Sequence, residues 1–391
     1  MRRRCIIFLV FAYGIGLIAC ATAPVADIQP GAKPDLDTDE AGLWMYMDKA
    51  EADLKNSGRI VTDERLTNYI GDIICRLDSH QCEHMRFYIV ETPDFNAAMA
   101  PNGFMQIWTG LLLRSQNEDQ LAYVLGHEIG HYHRRHTLQQ WRRTKNTTTG
   151  LAVFQLLTAG VGIGVAGDIA YIVGIAGLMA YSRDMEREAD DIGFDLMLAA
   201  GYDPREAPKI WRNLMEEMEA AGDSMPSIFF ASHPTTAERL RTLEEMAQAA
   251  VGDSPAAAPK KEPYLDMIAP FRGEWLHDEL QKQDFAATQV VLNHLFAENK
   301  RPGELYFYQG ELYRMRAETD DREKAVEAYQ KALTQDGFPP ETYRSLGLLY
   351  WKSARMDPAR DAFENYLAAR PDAHDAPMIE AYLKELENNE N

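Results

Sequence analysis

The sequence predicts a mainly α-helical chain in two parts: an α+β domain with a small β-sheet, then an all-helical domain of repeats. Three observations carry that expectation. Apolar residues recur at helical spacing through most of the chain. Two stretches, "MRFYIVET" and "GFMQIWTGLLL", are instead rich in aromatic and β-branched residues and read as strands, with the turn "APNG" between them. A self-similar pattern of Tyr, Gly and Ala occupies the region after residue 264. The length of 391 residues accommodates two or three domains, and 46% hydrophobic content supplies a core. Acidic residues outnumber basic ones 60 to 40, for a formal charge of -20, so no nucleic-acid partner is expected.

The N-terminus reads as a targeting signal over 1–19. "MRRR" is a positive n-region, and "CIIFLVFAYGIGLIA" is apolar but short for a bilayer span. Leu17-Ile18-Ala19-Cys20 resembles the lipobox of bacterial lipoproteins, which implies lipid on Cys20 and a membrane anchor. Ala21, where Asp would be the retention signal, resembles outer-membrane sorting in Gram-negative bacteria. An uncleaved anchor and an ordinary signal peptide are the alternatives. Residues 20–36, "CATAPVADIQPGAKPDL", read as a flexible tether. An exported chain meets an oxidising compartment, so Cys75 and Cys82 are expected as a disulfide. The rival is a small metal site of Cys75, His80, Cys82 and His84, a spacing that fits no common zinc motif.

The first domain is expected over 37–250. "GLWMYMDKAEADLKNSGRI" and "VTDERLTNYIGDIICRL" are helices ahead of the strands. Asn117 caps the next helix, with Gln120 at the capping-box position, and that helix runs "EDQLAYVLGHEIGHYHRRHTLQQWRR". Residues 150–181 are apolar and glycine-rich, with Asp168 the single charge. They contain "GIGVAG" at 162–167, a formal dinucleotide fingerprint, but no strand precedes it in a βαβ unit. Buried helices, a surface dipping into the membrane, and a transmembrane pair all remain open there. Helices at "RDMEREADDIGFDLMLAAG", "PREAPKIWRNLMEEMEAAG" and "TTAERLRTLEEMAQAA" complete the domain, and 251–263 has linker composition.

The second domain, 264–391, carries a repeat. Tyr306, Gly310, Tyr313, Ala325, Tyr329 and Ala332 fall on one register, and Tyr343, Gly347, Tyr350, Ala359, Phe363 and Pro371 fall on another. The offset is 37 positions at the tyrosines and glycines and 34 at Ala325 and Tyr329, a three-residue insertion near "AETDD". These residues resemble tetratricopeptide repeats, whose period is about 34. "FRGEWLHDELQKQDFAATQVVLNHLFAEN" looks like a degenerate earlier repeat. So few repeats bury little alone, which implies docking onto the first domain.

"LGHEIGHYHRRH" places four histidines in twelve positions. His127 and His131 are four apart, so on a helix they sit one turn and about 40° from each other, and both imidazoles reach one metal ion. Glu128 then faces the metal's water. On a continuous helix His133 lies about 200° from His131 and His136 about 140°, so both fall outside the site. With Arg134, Arg135, Arg142, Arg143 and Lys145 they form a basic run, read as a solvated face or, less simply, a lipid-headgroup contact. A third ligand is sought in "SRDMEREADD". Asp184, Glu188, Asp191 and Asp195 form one all-acidic stripe that should face solvent. Glu186, Asp190, Gly193 and Met197 form the other, so Glu186 is the better ligand and Asp190 can hold an imidazole by its second nitrogen.

"HEIGH" followed 55 positions after His131 by "EREAD" is similar to the HtpX and CAAX-prenyl-protease superfamily of gluzincin peptidases. The resemblance implies a zincin-like fold and one zinc ion per chain held by His127, His131 and Glu186, with Glu128 as general base and Asp190 behind the ligands. "FNAAMAPNGFMQIWTGLL" looks like the family's segment before the metal helix. Its edge strand would bind substrate, here along Gly103, Phe104, Met105, Gln106, Ile107 and Trp108. "SHPTTAERL" resembles a later His-Pro element, which places His233 and Arg239 near the site. With the signal and the repeats, the sequence looks most like BepA-like periplasmic protease–chaperones. In such proteins the equivalent of His233 can be a fourth, inhibitory ligand. A transition-state stabiliser and a structural His-Pro turn are its other readings.

The function expected is that of a zinc endopeptidase, lipid-anchored in the periplasm at the outer membrane, that degrades unfolded or misassembled envelope polypeptides. A protein partner is expected on the repeats, with outer-membrane assembly machinery the one the resemblance implies. A chaperone or assembly scaffold with a mostly latent protease is the rival, and an integral membrane peptidase crossing at 150–181 is a third.

Overall fold

The computed structural model describes residues 26–144, 180–222, 228–234, 237–252 and 261–388. The signal, Cys20 and nearly all of 150–181 lie outside them, as do residues 253–260 of the expected linker. Helix α1 spans Asp39–Lys55, where the Thr38 hydroxyl accepts from the Ala41 amide. Helix α2 spans Glu64–Leu77, where the Asp63 carboxylate accepts from Leu66; both satisfy first-turn donors that a helix leaves unpaired. A disulfide joins Cys75 to Cys82 just after α2. Both thiols are consumed, so the rival metal site with His80 and His84 falls away.

Three strands follow, β1 (Arg86–Val90), β2 (Ala97–Met99) and β3 (Phe104–Trp108), in the order β1-β3-β2. β3 is central: it runs parallel to β1, with Arg86 opposite Phe104, and antiparallel to β2, with Ala97 opposite Ile107. This corrects the expectation that substrate pairs along Gly103–Trp108, because the main chain of β3 already bonds to a neighbour on each side. The three-residue β2, "AAM", has no β-branched or aromatic residue to betray it, yet it is the strand beside β3 toward the metal helix. The second half of "GFMQIWTGLLL" is not strand but helix α3, Thr109–Arg114. Gly110 makes the bend possible, since a Cβ there would lie 2.2 Å from the Pro93 carbonyl oxygen.

The expected single long helix is two. α4 (Glu118–His133) is capped by Asn117, which accepts from Gln120 at 2.9 Å. The chain then breaks at Arg135, whose φ of 56° is left-handed, and restarts as α5 (His136–Thr144). α4 packs along α6 (Arg183–Ala199) at close range. A Cβ on Gly193 would sit 2.6 Å from the His127 backbone nitrogen, so only glycine allows this approach. Three arginines of the basic run are paired: Arg134 with Asp27 and Glu188, Arg135 with Glu40, and Arg142 with Asp39, while Lys145 lies outside the described residues. The supposed flexible tether is docked from its described start, since the Ile28 amide donates to the His133 carbonyl and its side chain is buried.

Helices α7 (Ala207–Ala221), α8 (Ile228–Ser232) and α9 (Ala237–Val251) follow, with α7 packed on α4 and α9 on α7. Then come α10 (Lys261–Gln281), α11 (Phe285–Ala297), α12 (Pro302–Arg316), α13 (Asp321–Ala332), α14 (Glu341–Lys352), α15 (Met356–Ala369) and α16 (Ala376–Asn388). α10 begins inside the expected linker. Tyr264, Ile268 and Leu276 of α10 and Leu292 of α11 share one core with Leu112, Val124 and Trp211, so the helical half docks on the first. A buried Arg114 joins Glu217 of α7 to Glu279 of α10. In the next two hairpins Gly310 lies against the Tyr329 ring and Gly347 against Phe363, one contact made twice. Among the described residues no helix is long and apolar enough to cross a membrane.

Candidate metal centre

His127 and His131 lie on α4, Glu186 on α6, and His233 just after α8. All four are buried, and one donor atom from each lies within 4.8 Å of the others. Helical phase explains the α6 contribution. Glu186, Asp190, Gly193 and Met197 are buried, whereas Asp184, Asp191 and Asp195 are exposed. His127 Nε2 is 3.1 Å from His131 Nε2, 3.4 Å from His233 Nδ1 and 3.6 Å from a Glu186 oxygen. His131 Nε2 and His233 Nδ1 are 3.5 and 3.2 Å from Glu186 Oε1.

The outer ring nitrogens of His127 and His131 each have a close neighbour. His127 Nδ1 lies 3.0 Å from Asp190 Oδ1, and His131 Nδ1 lies 2.9 Å from His136 Nδ1. Neutral rings with protons at those outer positions turn two lone pairs toward each other across the centre, a repulsive arrangement without a cation between them. A tetrahedron of bonds about 2.0–2.1 Å long has edges of about 3.3 Å, so the donor spacings fit a zinc-sized ion. Glu186 Oε1 is also a buried oxygen without a hydrogen-bond partner. The donor set therefore fits a divalent metal.

Electrostatics favour the same state. Burial, and then the neighbouring His127 and His233, hold His131 well below its ordinary value, so it stays neutral. Burial pushes Glu186 up, but His233, His127 and Arg239 outweigh it and leave the carboxylate below its usual range. Asp190 is likewise held low despite burial, chiefly by Arg239, which donates to both of its oxygens at 2.6 and 2.7 Å. The same guanidinium donates to Glu186 at 2.5 Å. Glu128 points at His233 Nε2 across 3.6 Å. Burial raises its pKa against the pull of His233 and His127 and a hydrogen bond from the Met99 backbone. That bond ties β2 to the site. Because Ala98 pairs with Gln106 as Asn96 does with Trp108, the main-chain groups of Ala97 and Met99 point the other way, over Glu128.

Three features escaped the sequence. His136 is buried against His131, because the break at Arg135 resets the helical phase that had excluded it. Glu188, on the acidic stripe, is half-exposed and binds His136 at 3.1 Å. Tyr181 stacks on His131 with centroids 3.9 Å apart and shares a hydrogen bond with Thr137. His133 turns away, as expected, to Asp78 at 2.7 Å.

A buried HExxH helix, with a carboxylate from α6 among its donors, defines a metallopeptidase site. Residues 61–247 match the sequence pattern of peptidase family M48, and the chain contains a metallopeptidase domain of that family. It is 29% identical over 251 residues to the beta-barrel assembly-enhancing protease of Escherichia coli, covering 61% of this chain and 51% of that protein. Mitochondrial metalloendopeptidase OMA1 is 34% identical over 161 residues in Schizosaccharomyces pombe, covering 40% of this chain and 45% of that one. In Arabidopsis thaliana the figures are 34% over 158 residues, 40% and 30%. The chain spans about half the length of the assembly-enhancing relatives it matches.

Proposed function

We propose that the chain is a zinc-dependent endopeptidase, lipid-anchored through Cys20 in the periplasm at the outer membrane, that degrades misfolded or misassembled envelope proteins. The observation that carries the catalytic part is the convergence of His127, His131 and Glu186 beside a buried Glu128. A bound zinc ion supplies Lewis-acid polarisation of a scissile carbonyl and acidifies water. Glu128, raised by burial, takes the proton of the attacking water and returns it to the leaving amine. An extended substrate pairs with the outward main chain of Ala97 and the Met99 carbonyl on β2, whose Met99 amide is held by Glu128. Backbone pairing reads little sequence, which suits unfolded clients. The envelope setting rests on the N-terminal signal and on the printed name of the Escherichia coli relative. Reading α12–α15 as tetratricopeptide repeats is supported by the repeated glycine–aromatic contact, and we assign them a protein partner such as outer-membrane assembly machinery.

A second reading has its own observation. His233 Nδ1 makes a fourth candidate donor, and if all four held one tetrahedral ion no position would be left for water or substrate. That favours a chaperone or assembly scaffold whose protease rests latent. Zinc content by mass spectrometry, with casein hydrolysis in parallel, tests both. Glu186→Gln should lose zinc and activity together. Glu128→Gln should keep zinc and lose about 100- to 10,000-fold in rate. A His233→Ala enzyme faster than wild type would establish the latent state, whereas a slower one would give His233 a catalytic part. Wild-type protein free of zinc would overturn the metallopeptidase reading of the site.

A further inference from the structure

We propose that His136 and Glu188 form a positioning relay that sets the tautomer and ring orientation of the ligand His131. The proposal rests on the reading of the centre as a metal site. His136 is fully buried, with Nδ1 2.9 Å from His131 Nδ1 and Nε2 3.1 Å from Glu188 Oε2. Only one proton can lie between the two Nδ1 atoms, so the pair has two arrangements. In the first, His131 carries its proton on Nδ1 and donates it to His136. His136 then carries its own proton on Nε2 and donates to the Glu188 carboxylate. Every contact is satisfied, and the His131 Nε2 lone pair faces the donor centre. In the reverse arrangement His131 Nε2 bears a proton and cannot ligate, and a His136 lone pair faces a carboxylate at 3.1 Å. Glu188 therefore selects the ligating tautomer through His136.

The local fold is built around this contact. Arg135 leaves helical geometry to bring His136 back onto the end of α4, and it is held by an ion pair to Glu40. Tyr181 stacks on the His131 face and stops the ring from turning out of line. The two ligand histidines are thus supported differently. His127 is held from the interior by Asp190 and Arg239, while the support of His131 runs outward to Glu188, itself in an ion pair with Arg134 at 3.0 Å. Neither His136 nor Glu188 contacts the donor centre, so both act through His131.

The test uses the full-length protein, stripped of metal and reloaded with zinc or with cobalt as a spectroscopic probe. Affinity comes from chelator competition, the ligand field from the visible cobalt bands, and metal-free stability from thermal melting. Glu188→Ala, at a half-exposed position, should lower the metal-free melting only slightly, and should weaken zinc binding roughly 10- to 100-fold with a shifted cobalt spectrum. His136→Leu should do at least as much. His136→Asn, which keeps an acceptor near the Nδ1 position but cuts the link to Glu188, should recover part of the loss. Wild-type affinity within threefold and unchanged cobalt bands in Glu188→Ala and His136→Asn would overturn the relay while leaving the metal site standing. Failure of the wild-type protein itself to bind zinc or cobalt would overturn both.

Discussion

Arg239 sits where two buried carboxylates, Glu186 and Asp190, would repel each other, and donates to both. Neither anion is then an uncompensated charge in a low-dielectric interior, and Asp190 stays charged to hold His127. Glu51 shows the same logic at the periphery. Arg86 grips its carboxylate with two bonds of 2.9 and 2.7 Å, and Tyr88 adds a third at 2.6 Å. The Arg86 bonds, opposed by burial, bring Glu51 down from an ordinary 4.5 to about 2. A carboxyl depressed by folding stabilises the fold above its unfolded pKa and loses that stabilisation as pH falls toward the folded one. Glu51→Gln should therefore cost on the order of 2 kcal/mol at pH 7. The gap to wild type should close between about pH 4.5 and 2. Denaturant unfolding across that range checks it, and a gap constant with pH would show that Glu51 carries no linkage. At this scale the ligand residues were legible because HExxH and ExxAD are local patterns. His136 was not, because its position depends on one left-handed residue that no propensity announces.

The element scale is dominated by the approach of α4 and α6. Gly126 and Gly130 on one helix meet Gly193 and Ala189 on the other, nearly backbone to backbone. That distance is what brings Glu186 to the two histidines. Gly193→Ala places a methyl 2.6 Å from the His127 nitrogen. It should cost about 2–4 kcal/mol and lower metal content, because overpacked helices separate. Gly42→Ala on α1 is the control: its Cβ meets nothing within 4 Å, so it should be neutral or stabilise by up to about 1 kcal/mol. Equal melting temperatures for the two variants would mean that the helix contact is loose. Helix phase predicted the buried and exposed stripes of α6 because it depends on short-range geometry alone. The break at Arg135 and the bend of "TGLLL" into α3 went unseen because tertiary contacts override weak local preferences.

The whole molecule joins a domain of the peptidase M48 pattern to a helical half whose first helices share its core. Arg114 marks the seam, 2.7 Å from Glu217 and 2.9 Å from Glu279, with all three side chains buried. Arg114→Met would leave two buried carboxylates without their shared cation, at a cost of roughly 3–5 kcal/mol. Calorimetry should find one transition moved to lower temperature. Two transitions, with the helical one unmoved, would show that the halves unfold apart. The docking was foreseen from the small number of repeats, but its contacts were not. By itself, the sequence determined the class of element at most positions, the buried and exposed stripes of α6, and His127, His131 and Glu186 as candidate metal donors, since all of these follow from spacing along the chain. The tertiary structure alone decided that β3 is central and β2 lies against the metal helix, that His136 packs against His131, and that Arg114 joins the two halves. Each of those depends on which distant groups meet, and one chain's spacing does not encode a distance across the fold.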